Sequence, residues 1–448
     1  MHQSWTKSIQ LLLPLFSLIT ICRIALNWPL SESISTPDSI TYRVSPPGPQ
    51  TFPYEGDTPL NLLSEIDFLG NSIRPWTTNA VFKLLENDFS IVLFQTLFAA
   101  FSWAYLILTI LQLLKSFLLK IVLTIFLFSF SLTENIYSWE KFILSESLVN
   151  SVFILLIARV IHSKFKTISN NEFTIIYLLY FYILVSRPIF GFCLTIVFIF
   201  YLGSIRTLVP RATLILLSIY YVFVMNANSS KKWEEYLGST REGISFSYIT
   251  SLNSKSILDY KANIIKVGAP SCLFNNQLDE TSPWVTSRQY KSNCPKGLEW
   301  LDRNFSRTYF IHLLKPSSLF ELGLKPSSQI FAGLDLRKYY PFYSFVEYNS
   351  IKTFGQLFWS TTLTRNAIIF LSIIVVISFL ATKKILMPMI PLLILILAGT
   401  FGSLLQAFLM PDEYGRIGYP GSILFNIAPW LLFVLLIDHK IARAPKKI

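Results

Sequence analysis

Charge is scarce in this chain. Of its 448 residues only 14% are Asp, Glu, Lys or Arg, where soluble domains carry about a quarter. A water-facing surface of this size is not built from so few ionic groups. Histidine is scarcer still. The four present (His2, His162, His312 and His439) show no HExxH or other paired-ligand spacing, so a zinc site of that kind is excluded. There is no Walker loop, no GxGxxG and no GxSxG. An energy-coupled pump or a cytosolic nucleotide enzyme is therefore not expected. No lipobox or prenylation box is present either.

Apolar residues fill the space that charge leaves, at 52% of the chain. Runs long enough to cross a bilayer, each about 17–25 residues, recur along it. We place spans at 8–28, 89–111, 116–132, 144–161, 173–186, 188–204, 211–227, 364–381, 385–410 and 419–437, about ten in all. The run from Ile9 to Trp28 has no small-residue cleavage site and is read as a retained span. The net charge of +12 then needs no nucleic-acid partner, because basic residues collect in cytoplasmic loops. With the spans alternating, Lys115, Lys120, Lys164, Lys166, Arg206, Arg211, Lys383, Lys384 and the basic tail fall on one side. Only Lys141, Arg187 and Arg416 fall in the short loops opposite. The expected class is an all-α polytopic membrane protein of the plasma membrane with both termini cytoplasmic.

Two long loops lie outside the cell in this scheme. The first, 29–88, has a Pro-rich section and two short amphipathic patterns, one with Leu62, Ile66 and Leu69, the other with Val81, Leu84 and Leu85. Both suit helices lying along the membrane surface. The second, 228–363, has ordinary soluble chemistry and is expected to form a mixed loop domain. It contains Cys272 and Cys294, which an oxidising compartment would join; Cys22 and Cys193 lie within spans. Its aromatics (Trp233, Trp284, Trp300, Tyr339 and Tyr340) suit either a small core or stacking on sugar rings. The chain thus divides into a core at 1–227, the loop domain at 228–363, and C-terminal helices with a basic tail at 364–448.

Charged groups gather at the outer face: Asp38 in TPDSITY, Arg74, Glu134, Glu146, Arg187, and Asp412, Glu413 and Arg416 in MPDEYGRIGYP. Charges at bilayer depth are costly and usually have a partner or a task. Together they suit a cavity with carboxylates to activate a hydroxyl and arginines to hold a phosphate. Each also has a plainer use. Asp38 in a Pro-Asp-Ser turn can cap a helix, Glu146 can cap the fourth span, Arg187 can reach the headgroups, and Arg74 can pair with Glu65 or Asp67.

The order of segments PDSITY, RPWTTNAVFKLL, QTLFAAFSWAYLILTIL, WEKFILSESL and SRP resembles the GT-C glycosyltransferases, in particular uncharacterised bacterial membrane proteins grouped with them. EYGRIGYP is similar to an acidic–Arg segment of the same proteins. The resemblance covers roughly Ser8 to Asn228 and, weakly, Ile368 to Ile437. It implies an enzyme that moves a sugar from a polyprenyl-phosphate carrier to a cell-envelope glycan, glycolipid or protein, with inversion. Asp38 would be the base, with Glu146 a second catalytic carboxylate. Arg187, Arg416 and Arg74 would contact the donor phosphate. No DxD-type pair follows Asp38, so neither a divalent metal nor another cofactor is expected. The rival readings are a transporter or flippase of lipid-linked sugar and a non-catalytic scaffold of the same fold.

Overall fold

The computed structural model describes residues 2–31, 76–85, 87–142, 145–163, 169–199, 205–237, 240–251, 255–274, 283–318, 373, 393–399, 401–402 and 419–443. Among these residues the chain is helical and contains no strand. Asp38, Arg74, Arg416, the Leu62–Leu69 pattern, all of span 364–381 but residue 373, and most of span 385–410 lie outside the described residues.

Helix α1 is His2–Leu26. The short helix α2, Trp76–Leu85, carries the Val81, Leu84 and Leu85 pattern. Helix α3, Asp88–Leu113, starts where the Asn87 side chain accepts from the Ser90 amide at 2.8 Å, an N-cap. Phe117–Ser131 is α4. A turn of helix at Glu134–Tyr137 and a 3₁₀ turn at Ser138–Lys141 then lead into α5, Ser145–Ser163. Helix α6, Asn170–Ser186, begins with a capping box between Ser169 and Glu172. It stops at Arg187 because the next residue is Pro188, which disfavours helical backbone in the residue before it. Proline can open a helix, and α7, Pro188–Ile199, follows at once. Gly191 permits that bend, since a Cβ there would overlap the Leu184 backbone.

Three of the described segments are long and apolar enough to cross a membrane: Asp88–Leu113, Ser145–Ser163 and Leu208–Asn228. Their burial ranks them by position. The apolar window of α5 is 83% buried and that of Leu208–Asn228 only 28%, so α5 is the bundle's axis and the latter its rim. The large outward-facing residues include Phe117, Leu118, Ile125, Leu178, Leu216 and Phe223. Gln95, Thr96, Ser102, Ser147 and Ser151 are buried. Apolar outside and polar inside is the arrangement that hydrocarbon solvent favours. Helices α3 and α5 form the most extensive contact, and buried small residues on them (Ala99, Ala100, Ala104, Ser147 and Ala158) permit a close approach.

The last helix, α13 (Tyr419–Arg443), fixes the far end of the bundle. Its Asp438 accepts from the Lys115 amide at 3.0 Å and the Ser116 amide at 2.7 Å. It thereby covers the amides that open α4. The glycines of 393–402 pack beside Phe153, Phe190 and Cys193, which joins that segment to α5 and α7.

The structure differs from the sequence expectation between 205 and 318. Helix α8, Ile205–Leu237, continues beyond the expected end of its span at 227, through NSSKKWEEYL, because nothing there breaks a helix. In place of a mixed loop domain, the described part of 240–318 is helical: α9 (Arg241–Ser251), α10 (Lys255–Lys266), α11 (Pro283–Asn293) and α12 (Pro295–Leu313). These amphipathic helices enclose a core of their own, with Phe246, Ile257, Tyr260, Leu301, Phe305 and Tyr309. Cys272 and Cys294 are joined by a disulfide, their Cα atoms 5.7 Å apart. Trp300 packs against this core, and Trp233, Trp284, Tyr339 and Tyr340 lie outside the described side chains.

Candidate functional site

The end of the bundle opposite Asp438 holds most of the buried charge, Arg23, Glu140, Lys141 and Glu146. Arg187, at the α6–α7 bend, donates from Nη2 to Glu146 Oε1 at 2.5 Å and to Ser145 Oγ at 3.3 Å. Glu146 is in the first turn of α5, where a carboxylate faces the positive end of the helix dipole. Their side chains are unequally covered, Arg187 being 13% exposed and Glu146 3%. An anion arriving from outside the bundle would meet the arginine first. Ser186, just before Arg187, is 2.8 Å from Thr77 Oγ1 on α2. Trp76 donates to the Tyr221 hydroxyl at 2.6 Å, which ties α2 to the rim helix α8.

A second pair, Arg23 with Glu140, is sealed completely, with side-chain exposures of 0% and 2%. Arg23 Nη2 also donates to the Ser131 carbonyl at 2.5 Å. Asn27 donates to Glu140 Oε2 at 2.8 Å. Gln95 donates to the carbonyls of Glu140 and Phe142, each at 3.1 Å. This network bolts α1 and α3 to the turn that launches α5, and so sets where Glu146 stands. A buried pair is weak evidence of net stability but costly to break.

The sequence-predicted residues are therefore distributed as follows. Glu146 and Arg187 meet directly, although 41 residues separate them. Glu134 opens the helical turn before Ser138. Asp38, Arg74 and Arg416 lie outside the described residues. Sequence reasoning assigned no role to Glu140, which stands within WEKFILSESL, or to Arg23, which stands inside the first span. The available signal was an arginine inside an apolar run, which needs a partner. Among the described residues, no group of His, Cys, Asp or Glu could hold a metal ion.

In the helical domain at 240–318, His312 Nε2 lies 2.9 Å from Ser256 Oγ and 3.1 Å from Ser318 Oγ. Burial, reinforced by Lys315, holds its imidazole below the usual histidine value, with opposing contributions from Ser256 and Asp259. Tyr260 beside it is pushed up to about 12 by burial. This is a core polar cluster closed to solvent. Compared with protein-family models, curated proteins and solved structures, the chain matches none.

Proposed function

We propose that this chain is a membrane-embedded glycosyltransferase of the GT-C kind, crossing the plasma membrane about ten times with both termini cytoplasmic. It would transfer a sugar from a polyprenyl-phosphate carrier to a cell-envelope glycan, glycolipid or protein at the outer face. The observation that carries the reading is the Glu146–Arg187 pair, partly open, at one end of a bundle whose outward residues are apolar. In this scheme the acceptor hydroxyl oxygen attacks the anomeric carbon while Asp38 takes its proton. The bond from that carbon to the phosphate oxygen breaks, and the lipid phosphate leaves with the electron pair. Arg187 stabilises the charge on the departing phosphate, and inversion follows from attack opposite the leaving group. Glu146, committed to Arg187 at 2.5 Å, acts as a positioning residue that aims the guanidinium. The acceptor proton is left to Asp38, whose assignment rests on TPDSITY alone.

The test is sugar transfer in membranes supplied with radiolabelled polyprenyl-phosphate sugars, comparing wild type with Asp38→Asn. Asparagine keeps the size and the capping ability but cannot take a proton. Transfer by the wild type and its loss in the variant at normal expression is the expected result. Equal transfer would return Asp38 to a helix cap and move the base to Glu146. Absence of transfer by both proteins would count against the enzyme and in favour of a flippase or scaffold.

A further inference from the structure

The same end of the bundle holds a set of buried polar atoms that no group among the described residues satisfies. Asn79 is 3% exposed, Gln95 0%, Thr96 0%, Ser147 4% and Asn150 6%. Among the described residues, both amide atoms of Asn79 lack a hydrogen-bond partner, as do Gln95 Oε1, Thr96 Oγ1, Ser147 Oγ and Asn150 Oδ1. An apolar bundle rarely tolerates so many, because each unmade bond forfeits the solvation its group had in water.

Their placement is not scattered. Gln95 reaches the carbonyls of Glu140 and Phe142, which puts its turn of α3 level with the start of α5. Ser147 and Asn150 occupy the first two turns of α5, directly after Glu146. Thr77 on α2 touches Ser186, the neighbour of Arg187, and Asn79 follows two residues later. Three helices thus contribute unpartnered groups to one layer, on the level of the Glu146–Arg187 pair.

The chemistry of the layer is selective. Gln95 has a fixed orientation, since its Nε2 already donates twice, so its carbonyl oxygen is the group left open. With Asn150 Oδ1 and Asn79 Oδ1 the layer offers amide oxygens as acceptors, the Asn79 amide as a donor, and two hydroxyls that serve either way. It carries no cation among its members. A phosphate, which only accepts, would face amide oxygens here and is disfavoured. A polyol, whose every hydroxyl donates and accepts, matches the set. We propose that this layer is the subsite for the hydroxyls of the transferred sugar, with the carrier phosphate outside it at Arg187. The proposal rests on the glycosyltransferase reading and adds to it where the sugar lies and which residues select it.

The experiment uses the full-length protein in detergent. Its melting temperature is followed with polyprenyl phosphate alone and with polyprenyl phosphate carrying glucose, galactose, mannose or arabinose, for wild type, Thr96→Val and Asn150→Leu. At least one sugar-bearing lipid should raise the wild-type melting temperature more than the bare phosphate does. That increment should vanish in both variants while the bare-phosphate shift remains. Because each substitution removes an unpartnered polar group, the unliganded variants should melt higher, by about 1–3 °C. A fall instead would mean that these groups are already satisfied inside the protein, and would overturn the proposal. So would an increment that persists in the variants. Equal shifts with and without sugar would show a layer filled by water only, leaving phosphate binding intact. No shift from any lipid would remove the subsite and the donor reading together.

Discussion

An arginine–glutamate pair occurs in both regions of this molecule, in opposite surroundings. On α12 of the domain at 240–318, Arg303 and Glu299 stand one turn apart at 2.6 Å, with side chains 73% and 63% exposed. In the bundle, Arg23 and Glu140 come from different elements and are sealed from solvent. The first pair sits in water, where two charges scarcely gain by meeting. The second has no solvent to return to, so each partner needs the other. The rest of the two regions follows the same division. The domain at 240–318 puts Phe246 and Leu301 inside and its charges outside. The bundle puts Leu118 and Leu216 outside and Gln95 and Thr96 inside. What decides the fate of a polar side chain here is its solvent, not its identity.

That contrast can be broken at four places. Arg23→Leu leaves Glu140 buried without its cation and should cost about 3–5 kcal/mol, seen as loss of the monodisperse peak on size-exclusion chromatography. Replacing both partners, Arg23→Met with Glu140→Leu, should restore much of it; no recovery would mean the pair does more than neutralise itself. If the proposed glycosyltransferase reading holds, Arg187→Ala should lower sugar transfer by about 10²–10³-fold with a smaller loss of stability than Arg23→Leu, read from initial rates and thermal melts on one preparation. His312 supplies a pH dependence confined to the domain at 240–318. Its folded pKa is depressed, so the unfolded chain takes up a proton first as pH falls through about 6.5. Domain stability is then complete above that pH and declines below it, toward the folded value. Hydrogen exchange of 255–266 and 295–313 at graded pH should show this, and His312→Asn should flatten it. Arg303→Ala should change stability by less than about 0.5 kcal/mol, measured by denaturant titration. A larger effect would undo the contrast between the two pairs.

The helices were legible where hydrophobicity and punctuation agree. The span expected at 89–111 is the helix Asp88–Leu113, and that at 144–161 is Ser145–Ser163. Long apolar runs fix a segment's existence, and Asn87 or Pro188 fixes its end. The extension of α8 to Leu237 was not legible, because hydropathy falls at Asn228 while helical backbone continues through Lys231 and Glu234 without cost. At the site, Glu146 and Arg187 were readable as costly charges, but not as each other's partners. Nothing local reports a contact across 41 residues. Asn79, Gln95 and Thr96 gave less signal still. An uncharged polar residue in an apolar helix reads as surface until the packing shows that it faces inward.

Asp438 carries a consequence for how the chain is made. The amides of Lys115 and Ser116 that it covers emerge from the ribosome 323 and 322 residues earlier than the carboxylate does. At about 5–20 residues per second, α4 waits roughly 15–65 s for its cap. Through that interval the amides of Lys115 and Ser116 are without the carboxylate that caps them in the folded chain. A nascent chain stalled before α13 would leave both amides without that cap.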